Sequence, residues 1–141
     1  MLKQMLERGH ELGNHGYVHK DQDKISAQAN YDEINQTHQI VKSLVDYEMN
    51  LFAPPSGAYN QTTLDIAEQL GYKTIMWTKD TIDWRDKDAN LIYERATKNA
   101  SNGDLILMHP TEKTLEALPN IISFYKEAGY KLTTVSETIA E

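Results

Sequence analysis

The chain has 141 residues, 40% of them hydrophobic, with 21 acids against 14 bases for a net charge of −7, and no cysteine. That length fits one ordinary domain, and the composition is globular rather than disordered. The acidic balance argues against a general nucleic-acid binder, the lack of cysteine excludes disulfides and thiolate chemistry, and no apolar run reaches the roughly 18 residues of a membrane span.

In chain order, short apolar runs alternate with helical periodicity. Leu2, Met5 and Leu6 open an amphipathic stretch without the layout of a signal peptide, and residues 2–8 before Gly9 read as the last turns of a helix. Residues 11–14 are a first short strand. Residues 29–47 place Ile34, His38, Val41, Leu44 and Val45 at close to helical spacing. A second short strand, 51–53, leads to a helix over 60–70 that starts at Asn60 and ends against Gly71. Longer apolar runs at 73–78, 104–109 and 131–135 read as strands. Helices are expected over 89–100 and over 114–128, the latter stopping at Gly129.

The expected strand ends recur about every 30 residues on average, the length of a strand plus its crossover helix. Such alternation implies a parallel α/β sheet or barrel. Five strands are too few for an eight-stranded barrel of about 250 residues. The opening helix also lacks the strand that should precede it. The expected fold is therefore α/β: an incomplete (β/α) barrel of about five parallel strands, in a single domain over 1–141.

In parallel α/β proteins the C-terminal ends of strands collect functional groups. Four such ends here carry unusual polar residues. After the first come His15 and His19, four apart, a spacing that lets two imidazoles share a helical face and one metal ion; the plainer reading is two surface histidines at a helix start. After the second comes Pro54-Pro55-Ser56-Gly57-Ala58-Tyr59, a rigid turn that can aim a backbone N–H at a developing oxyanion, or simply turn the chain. After the third, Trp77 and Trp84 bracket Asp80 and Asp83. A tryptophan face suits a pyranose ring and a carboxylate can orient a histidine, whereas the plainer reading is a capped, solvated loop. The fourth run delivers His109, a candidate general acid or base, or a satisfied core histidine.

Taken together and in this order, the four segments resemble the polysaccharide deacetylase family, carbohydrate esterase family 4, also called the NodB-homology domain. The resemblance covers nearly all of the chain. It implies a distorted, seven-stranded, TIM-like (β/α) barrel that removes N- or O-acetyl groups from glycans with one divalent metal. By that resemblance His15 and His19 are metal ligands in an H-[ST]-x-x-H motif. Pro55 and Ser56 fall in R-x-P-[YF]-G, with the Ser56 N–H in the oxyanion hole and Pro55 and Tyr59 on the substrate side. Asp83 and Trp84 match D-x-x-D-W, the aspartate orienting the catalytic histidine and the tryptophan lining the pocket. Leu107 and His109 match L-x-H, with Leu107 shaping the acetate pocket and His109 acting as general acid for the leaving amine. Residues 11–15 and 108–111 look most like the branch of spore-forming Gram-positive bacteria.

Three departures stand out. The family's T-F-D-D motif, source of the catalytic base and a third metal ligand, is not in the sequence. Ala53 sits where an arginine usually pairs with that base, and Gly16 replaces the usual Ser or Thr. The expected cofactor is thus a divalent metal, zinc by preference, with an incomplete ligand set. The expected partner is an acetylated polysaccharide of the peptidoglycan or chitin type. Either the first strands are missing from this piece or the chain descends from a protein that lost catalysis; both make it a poor deacetylase alone. The alternative is a non-catalytic, glycan-binding or regulatory relic of the same fold. Missing strands would also leave an open barrel edge that favours self-association. The family works mostly outside the cytoplasm, which is the only pointer to location.

Overall fold

The computed structural model describes residues 1–140; residue 141, the last of the expected domain, lies outside them. The chain divides into two units, Met1–Met76 and the residues from Trp77 onward. In the first unit, α1 (Leu2–Glu7) ends at Gly9, whose φ of +85° glycine adopts without steric cost. Asn14 then makes a parallel bridge to Phe52: its N–H donates to the Leu51 carbonyl at 2.8 Å, and the Ala53 N–H donates to the Asn14 carbonyl at 3.0 Å. The helix α2 (Ala27–Val45) begins at Ser26, whose hydroxyl accepts the Ala29 N–H, and stops at Asp46 in a left-handed conformation. The strands β1 (Leu51–Phe52) and β2 (Lys73–Thr74) pair in parallel, Leu51 opposite Lys73. Their crossover is α3 (Gln61–Gln69), opened by a reciprocal capping box of Asn60 and Thr63. Leu12, Ile34, Met49, Phe52, Ala67 and Tyr72 form the core of this unit. Complete burial of a side chain the size of Phe52 or Ile34 contributes roughly 1.5–3 kcal/mol.

In the second unit β3 (Lys79–Asp80) pairs in parallel with β4 (Ile106–Leu107). Between them α4 (Ala89–Thr97) starts at Asp88, whose carboxylate accepts the N–H groups of Asn90 and Leu91. After β4, α5 (Glu112–Glu127) is capped by the Thr111 hydroxyl, and Ile92, Ala96, Ala117, Ile121 and Tyr125 make the core between these two helices. A last helix, α6 (Val135–Ile139), follows Thr134. Among the described residues no helix is long and apolar enough to cross a membrane.

The helices begin within about two residues of their expected starts, and all of the strand pairing is parallel. Three strands differ from expectation. Residues 11–14 form no strand of their own, only the single bridge from Asn14 to Phe52. The run 73–78 leaves the β1 ladder after Ile75, whose N–H reaches the Phe52 carbonyl at 2.8 Å, and a separate strand forms at Lys79–Asp80. The run 131–135 is not a strand. Thr134 and Glu137 form a capping box that turns Val135 into the first residue of a helix, so a local cap overrides the β-branched composition.

Candidate functional site

The loop that carries His15 and His19 is not helical. Gly16 has φ +82° and His19 φ +55°, left-handed values that a right-handed helix excludes, so the expected shared helical face is replaced by a turn. The two rings still meet, edge to face, with centroids 5.1 Å apart. Three groups fix this turn. The fully buried Asn14 accepts the Gly16 N–H on Oδ1 at 3.0 Å, while its Nδ2 donates to the Ile34 carbonyl and the Tyr72 hydroxyl. The buried Glu33 of α2 accepts both the Tyr17 and Val18 N–H groups on Oε2, at 2.9 and 3.0 Å. The Ala53 carbonyl pairs with His15 Nδ1 at 2.6 Å. A carbonyl only accepts, so Nδ1 carries the proton and the lone pair of neutral His15 is on Nε2.

This loop explains the departure at Gly16. A Cβ there would lie 3.2 Å from Glu33 Oε2 and 3.4 Å from Pro55 Cγ, at a φ unfavourable to L side chains. The donor chemistry suits a cation of the zinc class, which prefers imidazole nitrogens. Among the described residues no third His, Asp or Glu joins the pair to complete a metal-holding group. The fit is therefore to part of a ligand set.

Ser56 also belongs to the first unit. It sits in a short 3₁₀ turn, Pro55–Gly57, with φ +58° and ψ +11°, a strained conformation for a residue with a side chain. The Gly57 and Ala58 N–H groups close the turn onto the Pro54 and Pro55 carbonyls. Pro55 is fully buried, while Tyr59 is exposed. The Asp21 carboxyl is held below its ordinary range by Lys24 and, after it, by the Ser56 hydroxyl.

The second unit holds Asp83 and His109. Asp83 is completely buried, and it follows Ile82, a β-branched residue at φ +52°. Its Oδ1 accepts from His109 Nδ1 at 2.8 Å, and its Oδ2 accepts from the His109 backbone N–H at 2.5 Å and the Thr114 hydroxyl at 2.7 Å. Burial pushes the Asp83 carboxyl upward, but the His109 N–H, the Thr114 hydroxyl and the His109 ring outweigh it and hold it below its ordinary value. Asp83 is thus ionised, His109 Nδ1 is a donor to it, and Nε2 of the half-exposed ring is the nitrogen that can exchange a proton. Leu107 lies in β4 opposite Asp80, and Trp84 is 60% exposed. Arg95 of α4 fastens the Asp83 loop, donating to the Thr81 carbonyl at 3.2 Å and pairing with Asp86 at 2.8 Å.

The structure therefore joins His15 to His19 and Asp83 to His109, each pair within its own unit. It adds Asn14, Glu33 and Thr114, which the motifs did not single out. Glu33 had a sequence signal: it stands at helical spacing with Asn30, Ile34 and Thr37, so a carboxylate falls on the apolar face of α2.

Comparison with known proteins gives one consistent answer. The polysaccharide deacetylase family model matches residues 1–75. The protein YlxY of Bacillus subtilis is 36% identical over 141 residues, the whole of this chain and 44% of YlxY. A peptidoglycan-N-acetylglucosamine deacetylase of Bacillus cereus is 32% identical over 145 residues, 99% of this chain and 68% of the relative. Among solved structures, the wild-type BA3943 protein of Bacillus anthracis, described as a CE4 family pseudoenzyme, superposes with a TM-score of 0.94 at 34% identity. That match covers 99% of this chain and 50% of the other. A BA3943 mutant with restored enzymatic activity gives the same TM-score. The chain thus spans half or less of YlxY and BA3943.

Proposed function

This chain belongs to the polysaccharide deacetylase family and has its TIM-like (β/α) fold in incomplete form, and from that membership we propose that it carries part of the machinery for deacetylating a cell-wall glycan of the peptidoglycan type. The observation that carries the reading is the pairing of buried Asp83 with the half-exposed His109 ring. In deacetylation, water adds to the acetyl carbon, the C–N bond breaks, and the leaving nitrogen needs a proton. With Nδ1 committed to Asp83, His109 as imidazolium gives up its Nε2 proton to that nitrogen, and the ionised Asp83 stabilises the cation beforehand. The Ser56 N–H is the donor proposed for the oxyanion, held rigid by Pro55. Trp84 and Tyr59 offer exposed aromatic faces to sugar rings, and Leu107 is the proposed wall of the acetate pocket. His15 and His19 would hold a divalent cation, zinc by donor type, which supplies Lewis acidity toward the attacking water and the acetyl oxygen.

The second reading is a non-catalytic, glycan-binding module. It is favoured by the likeness to the BA3943 pseudoenzyme and by Ala53, which has no charge to support a base. Loss of a positioned base costs about 10²–10⁴-fold. We therefore expect negligible acetate release from acetylated glycan oligomers by these 141 residues, with glycan binding retained. Robust release would show that another carboxylate serves as base. Neither release nor binding would remove both readings.

A further inference from the structure

Resting on the reading of His109 above, we propose that Thr114, backed by Thr111, is a positioning residue for His109. The two threonines form a directed pair of hydroxyls that fixes Asp83 in the one orientation useful to the imidazole.

The argument is a proton count. Ionised Asp83 only accepts, so in the 2.7 Å contact with Oδ2 the Thr114 hydroxyl is the donor. A hydroxyl has one proton. In the 2.7 Å contact between the two threonine hydroxyls, Thr111 must therefore donate and Thr114 accept. Thr111 in turn accepts the Thr114 N–H at 3.1 Å, which ties the pair to the first turn of α5. Each donor polarises the next, and the chain ends on the carboxylate. Oδ2 is then held from two sides, by Thr114 and by the His109 N–H, leaving Oδ1 to face Nδ1.

Burial makes the arrangement consequential, because Asp83 is 0% and Thr114 4% exposed. A carboxylate that lost the Thr114 donor would keep only the His109 N–H on Oδ2, would turn more freely about its Cβ–Cγ bond, and would hold Oδ1 less firmly against the ring. Thr114 is also the third residue of α5, where a helix N-terminus commonly takes Glu or Gln to complete a capping box. Here the hydroxyl at that position gives its proton to the carboxylate and does not serve the backbone N–H of the cap residue.

The test reads the His109 tautomer by long-range proton–nitrogen NMR of the labelled chain, with His109 assigned by its loss in His109→Gln. Wild type should hold neutral His109 as the Nδ1–H form. Thr114→Val and Thr114→Ala should each shift the tautomer ratio toward Nε2–H by about fivefold, what one net hydrogen bond is worth. Thr114→Ser should keep the wild-type ratio. Val keeps the shape and Ala favours the helix, so the pair guards against one variant failing to fold. A merely structural threonine would lower the melting temperature and leave the tautomer ratio as in wild type, and that result overturns the proposal. Asp83→Asn distinguishes the two failures. If it shifts the ratio while the Thr114 variants do not, only the role of Thr114 falls. If it too leaves the ratio unchanged, the Asp83–His109 reading falls with it.

Discussion

Removing the Glu33 carboxylate should loosen the histidine loop more than it harms the rest of the first unit. Glu33 accepts two backbone N–H groups on one oxygen, from Tyr17 and Val18. Hydrogen bonds to a charged group are worth about 1.5–3 kcal/mol each. Both bonds are only part-buried, so the lower end applies, and Glu33→Ala should cost about 3 kcal/mol. Glu33→Gln keeps an acceptor oxygen but loses the charge, and should cost about half as much. Urea denaturation gives the total, read as a lower midpoint with an unchanged slope. Amide hydrogen exchange gives the location: Tyr17 and Val18 should lose protection in Glu33→Ala, while amides of α3 change only with global stability. The reasoning is refuted if Glu33→Ala leaves both the midpoint and the exchange of those two amides as in wild type.

Two further outcomes are expected. His15→Ala with His19→Ala should abolish Zn²⁺ binding measured by calorimetry, binding that is weak in wild type because two imidazoles are fewer than the three or four ligands of ordinary zinc sites; an undiminished heat would exclude this pair as the site. Asp83 has a folded pKa below its unfolded one, so its contribution to stability is full above the unfolded value and fades as pH falls through the folded one. Stability of wild type should therefore drop below about pH 4 more steeply than that of Asp83→Asn, and parallel profiles would contradict the assignment.

The helices were legible because their signals are local. Asn60 at a helix start, and Gly9, Gly71 and Gly129 past helix ends, are read directly from neighbouring residues. The candidate residues were legible as a constellation of motifs, each weak alone. What stayed hidden depends on competition or on distance. The stretch 131–135 is β-branched, yet Glu137 supplies a cap partner from beyond it. The left-handed turns at His19, Ser56 and Ile82 have no composition to announce them, since each residue usually avoids that conformation. Thr114 reaches Asp83 from 31 residues away, a pairing that the fold alone creates.

The bond between His15 and position 53 has an implication for how such a chain can drift. The anchor is a main-chain oxygen, which every amino acid supplies. Exchanging the side chain at 53, arginine for alanine or back, would leave the tautomer of His15 as it is, provided the strand holds. On the function proposed above, holding a cation and supporting a base would then rest on separable parts of one residue, its backbone and its side chain. On that reading, a change of side chain at 53 that removes support for a base would leave the outward nitrogen of His15 where it is, and restoring an arginine there would not have to rebuild that nitrogen.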